Sequence, residues 1–216
     1  MKTRTAVIVM LAMLAGALAA SLALYPGLPE RVPTHWNLKG DVDAWTGKAW
    51  GAFFGPAGIF CCLLLLLGGE WLSPARFKIE PFRRTYNYVM VIVAALMVFL
   101  HAVTLAGALH PERNYGRLLV GGFFVFFALL GNLLGKVRPN FFVGIRVPWT
   151  LADERVWVAT HRLAARLLVA TSIVGAACAW LGVPLIFCFC LLMVGFTIPI
   201  VYSFVISKRL ERSGGA

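Results

Sequence analysis

Long apolar runs alternate with short polar segments along the whole chain. Six of these runs have about the 20 residues that a helix needs to cross a bilayer. They cover residues 5–25, 51–72, 86–109, 117–135, 163–182 and 184–206. The pattern predicts an all-α fold, a polytopic membrane protein with six transmembrane helices and a helical cytoplasmic loop between the fourth and fifth.

The composition supports a membrane location. Hydrophobic residues make up 60% of the 216 positions, charged residues 13%, and the mean hydropathy is +0.82. A soluble domain has about 25% charged residues, so this chain has roughly half the usual charge. A soluble fold of this length could not bury so much apolar surface, and membrane lipids are therefore the first expected partners.

The distribution of basic residues predicts an orientation. Fifteen of the twenty Lys and Arg residues lie on one side of the predicted bundle, in the N-terminal segment, the segments after the second and fourth runs, and the C-terminal segment. Because cytoplasmic loops are enriched in Lys and Arg, both termini are predicted to be cytoplasmic in the cell membrane. Topology thus explains the net charge of +11, and we expect no direct nucleic-acid partner.

Two expectations concern the ends and the division of the chain. Lys2 and Arg4 before an Ala17-Leu18-Ala19 sequence also fit a signal peptide, but the run reaches Leu24 and we expect an uncleaved helix. The predicted division is an N-terminal membrane domain at 1–110, a second membrane domain at 111–212 and a disordered tail at 213–216.

Reactive side chains are few within the apolar runs. All five cysteines lie in apolar runs without Cys-x-x-Cys spacing, so we expect free thiols, no metal site and no cofactor. The chain has no nucleophile motif, which predicts a non-enzyme with no catalytic residues. His101 lies inside the third run, either as a hydrogen-bonded packing residue or as a proton relay in a small transporter.

One long polar segment, at 26–50, is predicted to lie outside the cell. Its three prolines keep it extended, a turn is predicted at 37–40, and its tryptophans suit the level of the lipid headgroups. It is either a small cap on the helices or a ligand-binding surface. The candidate binding residues are His35, Trp36, Asn37 and Asp41, with Asp43 beside them.

The other long polar segment, at 131–162, is predicted to lie inside. Thr150, with Asp153 three residues later, is predicted to cap a helix, and Trp157, His161 and Ala164 to face the bundle from it. Amide and guanidinium groups in one segment suit either a phosphate or carboxylate site or a network that locks the loop. The candidate binding residues are Asn132, Lys136, Arg138, Asn140, Arg146, Trp149, Trp157, Thr160, His161 and Arg162.

These two segments carry a family resemblance. The first has Val32, Pro33, Thr34, His35, Trp36 and Asn37 followed by Gly40, and resembles an N-terminal domain of bacterial membrane proteins whose function is unassigned. The second resembles the signature of the SdpI-like family, the immunity proteins against a sporulation-delaying toxin. Its matching residues are Gly131, Asn132, Lys136, Arg138, Pro139, Asn140, Gly144, Ile145, Arg146, Pro148, Trp149, Thr150, Val156, Trp157, Thr160, His161 and Arg162.

The resemblance implies an immunity and signalling protein. It would protect the cell from a secreted, membrane-active peptide toxin on the outside, and a cytoplasmic repressor would be its partner on the inside. An alternative from residue chemistry is a membrane enzyme or lipid-handling protein that binds a lipid phosphate through Arg138, Arg146 and Arg162, with His161 transferring a proton.

Overall fold

The apolar runs form six long helices in a computed structural model of the chain, which describes residues 1–37 and 39–213. The long helices are α1 (Thr3–Leu24), α2 (Lys48–Leu72), α3 (Arg83–Leu109), α4 (Gly116–Leu134), α6 (Glu154–Trp180) and α7 (Leu185–Ser213). A short α5 (Pro148–Ala152) lies between α4 and α6. Each long helix is apolar and long enough to cross a membrane. The predicted all-α, multi-pass membrane fold is confirmed.

Two helices extend beyond their predicted apolar runs. Helix α6 begins at Glu154, where Asp153 caps it, so it joins the helix predicted in the loop to the apolar run that starts at 163. Helix α7 continues to Ser213, a residue that was predicted to belong to the tail. The rest of that predicted tail, residues 214–216, lies outside the described residues. An apolar run marks only the part of a helix that lies in lipid. It does not show where the helix continues through polar turns.

The segment between α1 and α2 forms a β-hairpin that the sequence did not predict. Strands β1 (Arg31–Trp36) and β2 (Val42–Gly47) pair antiparallel, with an irregular register around His35. The predicted turn is present: the Gly40 N–H donates to the Asn37 carbonyl at 2.9 Å, and Gly40 has a φ of +87°. Of the three prolines that predicted an extended segment, only Pro33 lies in a strand, where it is tolerated because the two strands have no further neighbour among the described residues. Pro26 instead lies in a short 3-10 helix, Tyr25–Gly27, so the extended prediction is wrong there.

The helices pack as two groups of three. Helices α1, α2 and α3 contact one another, as α4, α6 and α7 do, and α3 contacts α4 to join the groups. Residues 1–3, 80–87, 135–138 and 158–162 meet at one end of the bundle, called the basic end here. The hairpin lies at the opposite end, the hairpin end, beside the C-terminal half of α3 and the start of α4.

Candidate functional site

Asn140 organises the loop between α4 and α6, called the motif loop here (residues 135–153). Its side-chain amide donates to the carbonyls of Arg138 and Val143, both at 2.8 Å. Its Oδ1 accepts from the N–H groups of Phe142 and Val143, both at 2.7 Å. The side chain is fully buried. Because four bonds satisfy the whole capacity of the amide, Asn140 fixes the loop backbone and has no group left for a ligand.

His161 and Trp157 hold the same loop against α6. The His161 Nδ1–H donates to the Trp157 carbonyl at 2.8 Å, and its Nε2 accepts from the Ile145 N–H at 2.9 Å. The two rings stack 3.9 Å apart, and the Trp157 indole donates to the Val137 carbonyl at 2.8 Å. Gly144, at a φ of +121°, lies so close to His161 that a Cβ would collide with the ring. The predicted inward face of α6 is confirmed here, since both rings are buried.

The predicted cap at Thr150 is wrong, and Asp153 takes that role. Thr150 lies inside α5, where its hydroxyl accepts from the Val147 N–H at 3.1 Å and donates to the Ile145 carbonyl at 2.7 Å. The Asp153 carboxylate accepts from the Arg155 N–H at 2.7 Å and begins α6. The Arg155 guanidinium also donates to Asp153, which lowers the pKa of that carboxyl group below its usual value.

The arginines of the motif loop do not converge with His161 on one point. Arg138 donates to Glu154 at 3.3 Å on the surface, and Arg146 donates to the Phe141 carbonyl. Both ring nitrogens of His161 are bonded to backbone groups. The segment therefore uses most of its candidate residues as a network that locks the loop, which was one of the two predicted alternatives.

The remaining candidates of this segment have varied surroundings. Trp149 donates to the Ser203 hydroxyl at 2.7 Å and packs edge-on against Phe204, so it ties α5 to α7. Thr160 is fully buried, and its hydroxyl has no hydrogen-bond partner among the described residues. Asn132 is exposed on α4. Lys136 and Arg162 line a cavity at one end of the bundle, and Arg138 and His161 line it as well.

That cavity, the basic cavity, has a volume of about 750 Å³ at the basic end. Its walls come from the start of α1, the start of α3, the motif loop and the second and third turns of α6. The cationic side chains that line it are Lys2, Arg83, Arg84, Lys136, Arg138 and Arg162. Glu80 is the one carboxylate among the residues described as lining it. The arrangement suits an anion.

A second cavity, the aromatic cavity, has a volume of about 680 Å³ at the hairpin end. The hairpin, α2, α3, the start of α4 and Leu185 enclose it. Its aromatic lining consists of Trp36, Trp45, Trp50, Phe54 and Phe123. Trp45, Trp50 and Phe54 are more than half exposed, so the cavity opens at its aromatic rim. Rings of this kind provide apolar contact area for a ligand.

His101 forms the polar base of the aromatic cavity. It is 5% exposed, and its Nε2 lies 3.1 Å from the Ser21 hydroxyl and 3.3 Å from the Ala17 carbonyl. Since a carbonyl only accepts, Nε2 carries the proton, and the Ser21 hydroxyl is free to donate to the Ala52 carbonyl at 2.6 Å. Nδ1 is then an acceptor, and it has no partner among the described residues.

The hairpin candidates divide between the aromatic cavity and the hairpin itself. His35, Trp36 and Asn37 line the cavity, whereas Asp41 lies at the exposed tip outside it. His35 Nδ1 is 2.5 Å from Asp43, and Asn37 Oδ1 accepts from two backbone N–H groups of the turn. The Trp36 indole N–H has no partner among the described residues. His35 and Asn37 thus have structural partners, while Trp36 has a donor to spare.

Sequence reasoning missed the residues that complete both cavities. Lys2 and Arg84 were not among the predicted binding residues, because nothing in the sequence places them beside Lys136. Phe54, Phe123 and the rest of the aromatic wall lie in apolar runs, where an aromatic ring is unremarkable. A lone histidine in an apolar run was the one available signal, and it pointed to His101.

Two family models match parts of this chain. The SdpI/YfhL protein family matches residues 136–203, which contain most of the motif loop, α5, α6 and much of α7. The domain of unknown function DUF1648 matches residues 12–60, which contain most of α1, the hairpin and the first half of α2. The first motif lies within the DUF1648 match, and the second lies within the SdpI/YfhL match from Lys136 onwards.

One curated relative is Immunity protein SdpI of Bacillus subtilis (strain 168). It is 29% identical over 149 residues, which are 69% of this chain and 69% of that protein. No solved structure matches the chain significantly. The two matched segments and this relative confirm the predicted resemblance: the chain is similar to the SdpI/YfhL protein family in its second half and to DUF1648 in its first half.

Proposed function

We propose that this protein is a membrane immunity protein, which protects its cell from a membrane-active peptide that docks in the aromatic cavity. The observation that carries the proposal is the cavity itself, an aromatic-rimmed hollow with a buried, unpartnered acceptor at its base. The similarity to Immunity protein SdpI supports an immunity role, and the family resemblance implies the class of ligand, a membrane-active peptide. The excess of basic residues at the other end favours an orientation with the hairpin outside and both termini in the cytoplasm.

The cavity offers two kinds of contact to such a peptide. Apolar side chains would pack on Trp50, Phe54 and Phe123, and within the membrane such contacts act through close van der Waals packing. His101 gives the base of the cavity a polar group, and its buried Nδ1 has no partner among the described residues. Binding there would withdraw the peptide from the lipid in which it acts.

A survival assay tests this proposal. The chain is expressed in a Bacillus subtilis strain without its own Immunity protein SdpI, and survival is measured against the sporulation-delaying toxin and a panel of other membrane-active peptides. We expect survival to rise for at least one peptide. Unchanged killing across the whole panel, with the protein present in the membrane, would overturn the proposal.

Two tryptophan variants on α2 locate the contact. Trp50 lines the aromatic cavity and is 62% exposed, whereas Trp71 lies near the other end of the same helix and is 88% exposed. Trp50→Ala is expected to reduce protection about tenfold or more, as loss of an aromatic anchor does in other interfaces. Trp71→Ala serves as the matched control and is expected to protect fully. Equal losses would place the contact elsewhere.

A signalling role is the second part of this proposal, and the resemblance alone suggests its partner, a cytoplasmic repressor. The motif loop offers a surface for a protein there, with Phe141 half exposed beside Arg146. The test follows a fluorescent repressor in cells before and after the peptide is added. Movement to the membrane that Phe141→Ser abolishes would support the role, and an unchanged distribution would contradict it.

Lipid handling at the basic end is a second candidate function, favoured by the basic cavity. Proton transfer by His161 would need a free ring nitrogen. Both ring nitrogens are already bonded, one to the Ile145 N–H and the other to the Trp157 carbonyl, which argues against catalysis there. Anion binding without catalysis fits the geometry better, and the residues that would bind the anion differ from those that were predicted.

A further inference from the structure

The basic cavity gathers cations from segments that are far apart in the sequence. Lys2 precedes α1, Arg84 lies in the first turn of α3, Lys136 lies in the motif loop and Arg162 on α6. Both groups of three helices therefore contribute charge to one hollow of about 750 Å³. Basic residues are common at this level of any membrane protein, but a shared concave site requires this packing of the two groups.

Local carboxylates do not neutralise these four cations. Glu80, which lines the cavity, pairs with Arg83 at 3.2 Å, and Arg83 also pairs with Glu70 at 2.5 Å. Arg138 pairs with Glu154 at 3.3 Å. Among residues 1–37 and 39–213, no carboxylate lies within ion-pair distance of the other four cations. Like charges around one hollow repel each other, and a bound anion would relieve the repulsion.

A neutral group of the cavity, the Thr3 hydroxyl, also suits an anion with oxygen atoms. Asn87 is fully buried and donates to the Met1 carbonyl and to Thr3 Oγ1, both at 3.1 Å, which positions the start of α1 at the cavity wall. Because Thr3 Oγ1 accepts that bond, its own O–H remains available to a ligand. Arginine guanidinium groups bind phosphate through two parallel hydrogen bonds, and lysine binds it as a point charge.

We propose that the basic cavity binds a phosphate-bearing anion, with Lys2, Arg84, Lys136 and Arg162 as its charged contacts. The cavity is too large for inorganic phosphate alone and lies at the helix ends, where lipid headgroups lie. The phosphate belongs either to an anionic lipid or to a soluble phosphate compound. Either one would bridge the two groups of helices, and it would do so whether or not the aromatic cavity binds a peptide.

The test measures thermal unfolding of the full chain in a neutral detergent by tryptophan fluorescence. The probes are short-chain phosphatidylglycerol, short-chain phosphatidylcholine, and sodium phosphate against sodium chloride at equal ionic strength. We expect phosphatidylglycerol to raise the Tm, because a ligand of the folded state stabilises it, and phosphatidylcholine to have little effect. A shift with phosphatidylglycerol alone identifies a lipid headgroup, and a shift with sodium phosphate as well identifies the phosphate group as sufficient.

Two triple variants with the same change in charge separate the cavity from the general surface. Arg84→Gln, Lys136→Gln and Arg162→Gln together remove three of its contacts. Arg76→Gln, Arg209→Gln and Arg212→Gln remove three basic residues that do not line it. We expect the first triple variant to bind phosphatidylglycerol at least tenfold more weakly, as loss of charged hydrogen bonds implies, and the second to bind normally.

Three results would overturn the proposal: no Tm shift with any probe, equal shifts with both lipids, or equal losses in both triple variants. If the cavity variant fails to fold, the single variants Arg84→Gln and Arg162→Gln replace it, since both side chains are exposed. Survival against a peptide is a separate measurement. Unchanged killing by every peptide, with normal lipid binding, would contradict the proposed function and leave this inference intact.

Discussion

The hairpin and the motif loop contain the same uncommon residue types and use them differently. In the motif loop and the part of α6 that holds it, Asn140, Trp157 and His161 are buried, and their polar atoms bond to backbone groups. In the hairpin and beside it, Trp45 and Trp50 are exposed around an open cavity. A dense polar motif thus need not be a ligand site. Around the motif loop, the groups that remain available to a ligand are the cations at its edge.

The largest contrast is expected between two tryptophans. Trp157 is fully buried, stacks on His161 and donates to a backbone carbonyl, so Trp157→Ala is expected to cost about 3–5 kcal/mol. Trp45 is 53% exposed on the hairpin, so Trp45→Ala is expected to stay within about 0.5 kcal/mol. Unfolding of each purified variant by heat or denaturant measures both. Similar costs for the two would contradict the division into a locking loop and an open hairpin.

Two asparagines are expected to differ less in their effect on stability. The comparison is more specific, because the same substitution tests different hydrogen bonds at the two positions. Asn37 Oδ1 only accepts, so Asn37→Asp keeps both bonds to the turn and is expected to be nearly neutral. Asn140 also donates to two carbonyls, and Asn140→Asp replaces those donors with a buried charge. The expected cost is about 2–3 kcal/mol, from the lost bonds and the unsatisfied groups.

The same denaturation experiment compares these variants, and Asn140→Ala is the control for loss of the side chain. If Asn140→Asp is as stable as the parent chain, the amide does not hold the motif loop in the way that its four bonds indicate. A large loss in Asn37→Asp would mean that the turn depends on the amide nitrogen of Asn37, which donates no bond among the described residues.

The sequence predicted the membrane fold well because the signal is physical and local. An apolar run of about 20 residues has few alternatives to a membrane helix, and the structure forms one at each of the six runs. The inward face of α6 was also predictable, since Trp157, His161 and Ala164 follow helical spacing. The hairpin was not, because its prolines and irregular register hide the alternation that marks strands.

The two cavities could not be predicted from the sequence, because they depend on how the two groups of helices meet. Arg84 and Arg162 are far apart in the chain, and only the packing brings them to one hollow. The predicted cap at Thr150 shows the opposite error. The capping pattern depends only on the local sequence, and it identified suitable residue types but placed the cap at the wrong residue. Thr150 bonds inside α5, and the residue that begins α6 is Asp153.

The smallest contrast compares two aspartates, and it depends on pH. Asp153 caps α6, so Asp153→Ala is expected to lower the free energy of unfolding by about 1 kcal/mol at neutral pH. Asp153→Asn keeps a capping side chain and is expected to be nearly neutral. Asp43 is bonded to His35 on an exposed strand, and Asp43→Ala is expected to cost less than about 0.5 kcal/mol. Denaturation of the three variants at neutral pH gives this order.

The pH dependence of Asp153 follows from the direction of its pKa shift. The Arg155 side chain lowers the pKa of Asp153 in the folded state. Its ionised form therefore stabilises the fold above the usual range of an aspartate, and this contribution disappears as the pH falls through the lowered pKa. The stability difference between the parent chain and Asp153→Ala should shrink over that acidic range. A difference that stayed constant would mean that the carboxylate charge contributes nothing to the start of α6, and that the cap acts only through its hydrogen bond.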